Sequence, residues 1–213
     1  LFGKASTIGA FGVVALVLQI VITGIFYTAK RDITKDNAKL DIFNTAKLDT
    51  PIYNYYVGVA LMMFVGFGYL MTFLKAYGLG AVGLTMFITC LGVEVAIIID
   101  NFMGKGALDI DFLALVNGNF AAAVLISFGG LIGKISPMQI IALVVCELAC
   151  HCANKVHLLK QYETPALIAD CGGTTIIHAF GAYFGLCACK VLGPPKKDTL
   201  NASSYVSDIF SLA

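Results

Sequence analysis

Asp170-Cys171-Gly172-Gly173-Thr174-Thr175-Ile176-Ile177-His178-Ala179-Phe180-Gly181-Ala182-Tyr183-Phe184-Gly185-Leu186 is the stretch on which the reading of this chain turns. It opens with an acid and a glycine pair, then runs apolar with one imidazole inside it. A bilayer core about 30 Å thick is crossed by roughly 20 apolar residues in a helix, and the run from about 166 to 192 has that length. With a helix start near Asp170, His178 lies about 12 Å further along, near the bilayer midplane. An ionisable group at that depth costs at least about 2.5–3.5 kcal/mol, so it is a functional candidate by default. On a regular helix Thr174, Gly181, Ala182 and Gly185 share the face of His178. Small residues leave space beside the imidazole, which a conduction path needs. The competing reading is a satisfied interhelical hydrogen bond; the small-residue face favours a pore-lining His178. The Asp170 carboxylate can accept hydrogen bonds from the free N–H groups of a helix start, or it can bias a vestibule toward cations. Capping is the favoured role, with any cation attraction indirect.

Working outward, the rest of the chain has the same character. Of its 213 residues 59% are hydrophobic and 13% charged, against roughly 45–50% and about 25% in soluble domains. The chain therefore reads as all-α, a polytopic membrane helical bundle. Five further stretches, about 5–28, 54–75, 80–101, 112–133 and 138–159, are long enough to span, and a seventh run opens near Tyr205. The segment 29–50 alternates Lys and Arg with Asp and reads as a solvated loop. Net charge is +1 and no basic stripe runs along the chain, so nothing supports a nucleic-acid partner. Lys and Arg bias leaves the orientation open. Leu1 is not an initiator Met and Ala213 falls in an apolar run, so both ends read as cut. No secretory signal is evident.

Seven cysteines, an odd number, make no disulfide framework. Cys150, His151 and Cys152 point about 100° apart on a helix and do not converge on a metal. No metal or cofactor is expected. His151 and His157, toward a helix end, read as interfacial. Glu94 and Glu147 lie within apolar runs, where pairing with another helix, an interface and a partner subunit are all open. Gly129-x3-Gly133 and Gly181-x3-Gly185 let helix backbones approach closely.

These motifs together resemble a known family. Met63-Phe64-Val65-Gly66-Phe67-Gly68-Tyr69-Leu70-Met71-Thr72-Phe73-Leu74 before Tyr77-Gly78 looks like the second helix of Rh glycoproteins. Gly133-Lys134-Ile135-Ser136-Pro137-Met138-Gln139 is similar to one of their cytoplasmic-side turns, and the stretch from Asp170 to Leu186 resembles their central signature. Ser204-Tyr205 through Phe210 fits the start of the next helix. The resemblance is to the ammonium transporter/Rhesus superfamily, Rh branch, N-terminal half. It implies a trimer whose protomers each hold a pore between two inverted five-helix repeats. Residues 5–28 would be the additional N-terminal helix of Rh-type members. His178 matches the first of two pore histidines, Phe120 a phenylalanine gating the outer entrance, and Asp170 the acid of the fifth core helix. Residues 29–53 would lie outside and 193–204 in the cytosol. Lys155 stands where typical Rh sequences have an acid.

The expected function is conduction of ammonia across a membrane, with ammonium or ammonia as substrate, the bilayer as solvent and a homotrimer as the assembly. No covalent chemistry, hence no enzyme, is implied. The plasma membrane is the expected location. The alternative is a half-size Rh-like subunit with a structural role in a larger, organellar membrane complex.

Overall fold

The computed structural model describes residues 5–36, 50–104, 112–156, 170–194 and 202–212. Helix α1 spans Ala5–Asp36. Val13, Leu16, Val17, Ile20 and Val21 along it are exposed, and Ile22 is buried, the pattern of a helix lying on the rim of a bundle with lipid as its solvent. It continues past residue 28, where a loop was expected. Ala29 to Lys35 contains no glycine or proline, so nothing stops the helix as it leaves the apolar run. Residues 37–49 of that expected loop lie outside the described residues.

Helix α2, Thr50–Leu61, widens into a π-helical turn over Met62–Phe67 and ends through Gly68–Leu70 and a 3-10 turn at Met71–Phe73. Helix α3, Gly78–Gly104, is the central pillar. It packs along helix α6, Pro137–Asn154, and against the short helix α4, Phe112–Gly118. After a 3-10 turn at Asn119–Ala121, helix α5 runs from Ala122 to Gly129. A further helix, α7 over Phe180–Leu192, lies along α5. Helix α8, Tyr205–Leu212, is held to the end of the second span by Ser207, whose hydroxyl donates to the Phe73 carbonyl at 3.1 Å.

Among the described residues five helical segments are long and apolar enough to cross a membrane: Gly9–Thr28, Tyr53–Phe73, Gly78–Met103, Pro137–Asn154 and Thr174–Leu192. The stretch expected as one helix over 112–133 differs. Its apolar helical part, Leu115–Gly129, is shorter, interrupted at Asn119–Ala121, and residues 130–134 form turns. Tight packing accounts for the break: a Cβ on Gly92 of α3 would lie 2.8 Å from the Ala121 Cβ. Gly133 takes no part in a small-residue helix face. Its φ of +83° reverses the chain, a conformation that favours glycine.

The start of α6 follows from three residues. Ser136 accepts from the Gln139 N–H at 3.4 Å, and the Gln139 side chain accepts from the Ser136 N–H at 2.9 Å. Pro137 stands at the first helical position, where its missing N–H costs nothing. This capping box is worth about 1 kcal/mol. Helix α6 then sends Ile140, Val144, Glu147, Leu148 and His151 inward, all fully buried. In lipid such contacts stabilise through close packing rather than release of water. The wholly buried Ala121-Ala122-Ala123 run lets the neighbouring backbones come close.

Candidate functional site

The approach to the last of those spans, which carries His178, begins with two glycines. Gly172 and Gly173 have φ of +66° and +70°, left-handed conformations that L side chains rarely adopt. They turn the chain into a π-helical turn over Thr174–Ala179. The Asp170 carboxylate folds back over this start, with Oδ1 accepting from the Thr175 N–H at 2.8 Å and Oδ2 from the Ile176 N–H at 3.0 Å. Slight burial pushes its pKa up. The bonds from Thr175 and Ile176 and the charge interaction with His178 outweigh that, and hold it below the ordinary carboxylate value.

His178 lies within the membrane-spanning segment and is exposed, as are Thr174 and Ala182. Gly181 and Gly185 do not share this face. They turn inward onto α5, where a Cβ on Gly181 would lie 2.6 Å from the Ala123 carbonyl oxygen and one on Gly185 3.0 Å from the Ser127 Cα. The wider π turn re-phases His178 against the α-helical residues that follow it.

The π turn also frees a carbonyl. The Phe180 N–H bonds to the Thr175 and Ile177 carbonyls. Ile176 O instead meets His151 Nε2 at 3.0 Å, so Nε2 carries the proton. His151, three residues from the end of its helix, does not face solvent: it is fully buried. Its ring lies between Phe120, at 5.0 Å between centroids, and Phe180, at 5.2 Å, with Phe184 stacked beyond at 6.0 Å. His178 lies outside this aromatic row. Phe120 is half-buried and its exposed side is capped by a cation: Lys155 Nζ lies 4.5 Å from the ring centroid. The same ammonium pairs with Asp100 Oδ1 at 2.9 Å. His157 lies outside the described residues.

Glu94 and Glu147 both pair with other helices. Gln19 Nε2 of α1 donates to Glu94 Oε1 at 2.9 Å. Glu147, fully buried, meets the Ser127 hydroxyl, and Ser127 also donates to the Gly181 carbonyl at 2.7 Å. A hydroxyl has one proton to give. That proton lies between two acceptors, Glu147 Oε1 and the Gly181 carbonyl oxygen. Ser127, His151 and Asp100 were not singled out as site residues from the sequence. The i, i+4 spacing of Glu147 and His151 on one face of α6 was the available signal.

Comparison with known proteins places this geometry. The family model described as Ammonium Transporter Family matches residues 44–212. The chain is 34% identical over 211 residues to "Ammonium transporter Rh type C" of Xenopus laevis, covering 92% of this chain and 43% of that protein. It is 36% identical over 185 residues to "Ammonium transporter Rh type A" of Mus musculus, covering 84% of this chain and 40% of that protein. The chain thus spans less than half the length of these relatives. Among solved structures it is similar to Nitrosomonas europaea Rh50, of the Rhesus protein family of channels, with a TM-score of 0.68 and 28% identity over 80% of this chain and 46% of that one. With helices long and apolar enough to span a bilayer, and a family match over most of its length, this integral membrane protein belongs to the ammonium transporter family.

Proposed function

We propose that this chain forms the His178-bearing part of a channel or transporter that conducts ammonia across a membrane. The observation that carries the reading is His178, an imidazole on the uncovered side of a membrane-spanning helix in an ammonium transporter match. The similar Rh50 structure is of a protein from a family of channels that conduct. An uncovered imidazole within the span, with Thr174 and Ala182 beside it, suits a path walled on its far side by further protein.

The physics then orders the steps. Ammonium is an ion, and taking an ion into a dry apolar path is costly. Ammonia is small, neutral and both a donor and an acceptor. Phe120 acts as the desolvating gate, at which ammonium gives its proton back to the water on the entrance side and ammonia goes on. His178 then serves as a neutral hydrogen-bond partner for the species passing through. Asp170 sets the start of the helix that positions His178. The assembly in this reading is a homotrimer in the plasma membrane.

The test is ammonia flux in proteoliposomes holding the full protein, read by an internal pH dye. A His178→Ala variant removes one hydrogen-bond partner, worth about 1 kcal/mol or somewhat more, so flux falls roughly five- to tenfold. Unchanged flux removes His178 from the path. No flux from the wild type above protein-free vesicles overturns conduction itself.

A further inference from the structure

Lys155 sits where a mobile cation would bind. Its Nζ lies 2.9 Å from Asp100 Oδ1 and 4.5 Å from the centre of the Phe120 ring. A carboxylate oxygen on one side and an aromatic face on another form a seat for ammonium-type cations. The seat is sheltered, the Lys155 and Asp100 side chains being only 23% and 16% exposed, so both attractions are less screened than at an open surface. Behind the ring, His151 offers no competing acceptor from Nε2, which is committed to the Ile176 carbonyl. The end of a lysine side chain is itself an alkylammonium. A seat that satisfies Lys155 Nζ therefore has the charge and acceptor geometry for free ammonium or methylammonium.

We infer that Lys155 is a tethered occupant of an ammonium seat built by Asp100 and Phe120, and that it holds free ammonium-type cations off that seat. This rests on the reading of Phe120 as the entrance to a conduction path. The Lys155 backbone is helical and anchored, its N–H bonding to the His151 and Cys152 carbonyls. The ammonium head is thereby kept beside the seat at an effective concentration of about millimolar or more, which a free cation must displace. Lys155 is thus a specificity-determining residue: it turns a recruiting acid and ring into a self-satisfied pair.

The experiment uses the full protein in detergent and follows stabilisation of its thermal unfolding by methylammonium chloride, with sodium chloride as the ionic control. Lys155→Met vacates the seat, and its half-saturating methylammonium concentration is expected to fall about five- to thirtyfold below that of the wild type, the range a sheltered cation–π contact supports. Lys155→Arg keeps the cation and behaves as the wild type. In Asp100→Asn/Lys155→Met the gain disappears. Lys155→Gln keeps a donor for Asp100 and replaces Lys155→Met if the latter fails to fold. No gain in methylammonium binding in either neutral variant overturns the inference. Proteoliposome flux separates the two readings. Gained binding without flux from any variant keeps the seat and removes the channel, whereas wild-type flux with no gained binding keeps the channel and removes the seat.

Discussion

At the scale of single residues, the polar groups of this chain divide by what their backbone neighbours leave unpaired. Asp170 answers the free N–H groups of Thr175 and Ile176, and His151 answers the Ile176 carbonyl. The pairs on the two sides of Ile176 thus hold one π turn at both its donor and its acceptor ends. Asp170 gives a prediction with a definite sign. Its carboxyl is held below the ordinary value by those bonds, so the stabilisation is fully present above the unfolded carboxylate pKa of about 3.9 and is lost as pH falls through the folded value. Asp170→Ala should cost about 1 kcal/mol at neutral pH, the usual worth of such a cap. Thermal unfolding across pH should show the variant below the wild type at pH 7 and the two converging in strong acid. A gap that persists or widens in acid would remove the carboxylate as the source. Asp170 was legible as a cap because it stands just before a glycine pair at the mouth of an apolar run. His151 was not, because its partner belongs to a turn whose π geometry no local pattern announces.

At the scale of elements, lipid changes what makes helices pair. Neighbouring apolar faces gain little over lipid, so association depends on how near the backbones come. Helices α5 and α7 meet through Ala123 and Ser127 on one side and Gly181 and Gly185 on the other. The glycine spacing was readable as a close-approach surface. Its phase relative to His178 was not, since regular helical spacing placed all three on one side. Likewise the span 112–133 read as one helix because it is mostly apolar, although Asn117-Gly118-Asn119 stands at the 3-10 break at Asn119–Ala121, where Gly92 packs closely on Ala121. Gly181→Val tests the pairing. Its Cβ would come 2.6 Å from a backbone oxygen, which cannot yield as a flexible side chain would, and it would disturb the carbonyl that Ser127 bonds. The expected loss is about 1–3 kcal/mol or more, read as a lower unfolding temperature in detergent. Ala182→Val, on the exposed side, should change it little. Equal losses at the two positions would mean that α7 is not seated by this glycine face.

At the scale of the whole molecule, the described residues form a closely packed set of helices with α1 at its periphery. Helix α1 contributes to the buried core through Ile22, with Leu18 and Phe26 packed against it. Its ring contact is Phe11 on Phe87, 5.2 Å between centroids, and Gln19 supplies a hydrogen bond to Glu94. An interhelical hydrogen bond in lipid is worth about 0.6–1.7 kcal/mol. Here the sum is larger, because the other Glu94 oxygen is already buried without a partner, and losing Gln19 leaves the whole carboxyl unanswered. The composition made α1 legible as a span but said nothing of how it docks, since Glu94 and Gln19 are separated by 75 residues. Gln19→Leu should therefore loosen α1 while leaving the rest of the bundle intact. Cysteines placed at 11 and 87 and joined by a short bis-thiol reagent measure this directly. Cross-linking should fall several-fold, roughly the factor that 1 kcal/mol gives, with the unfolding temperature of the remaining helices little changed. If cross-linking holds at the wild-type level, the apolar contacts of Leu18, Ile22 and Phe26 dock the helix by themselves. The Glu94 carboxyl would then be free to serve some partner other than α1.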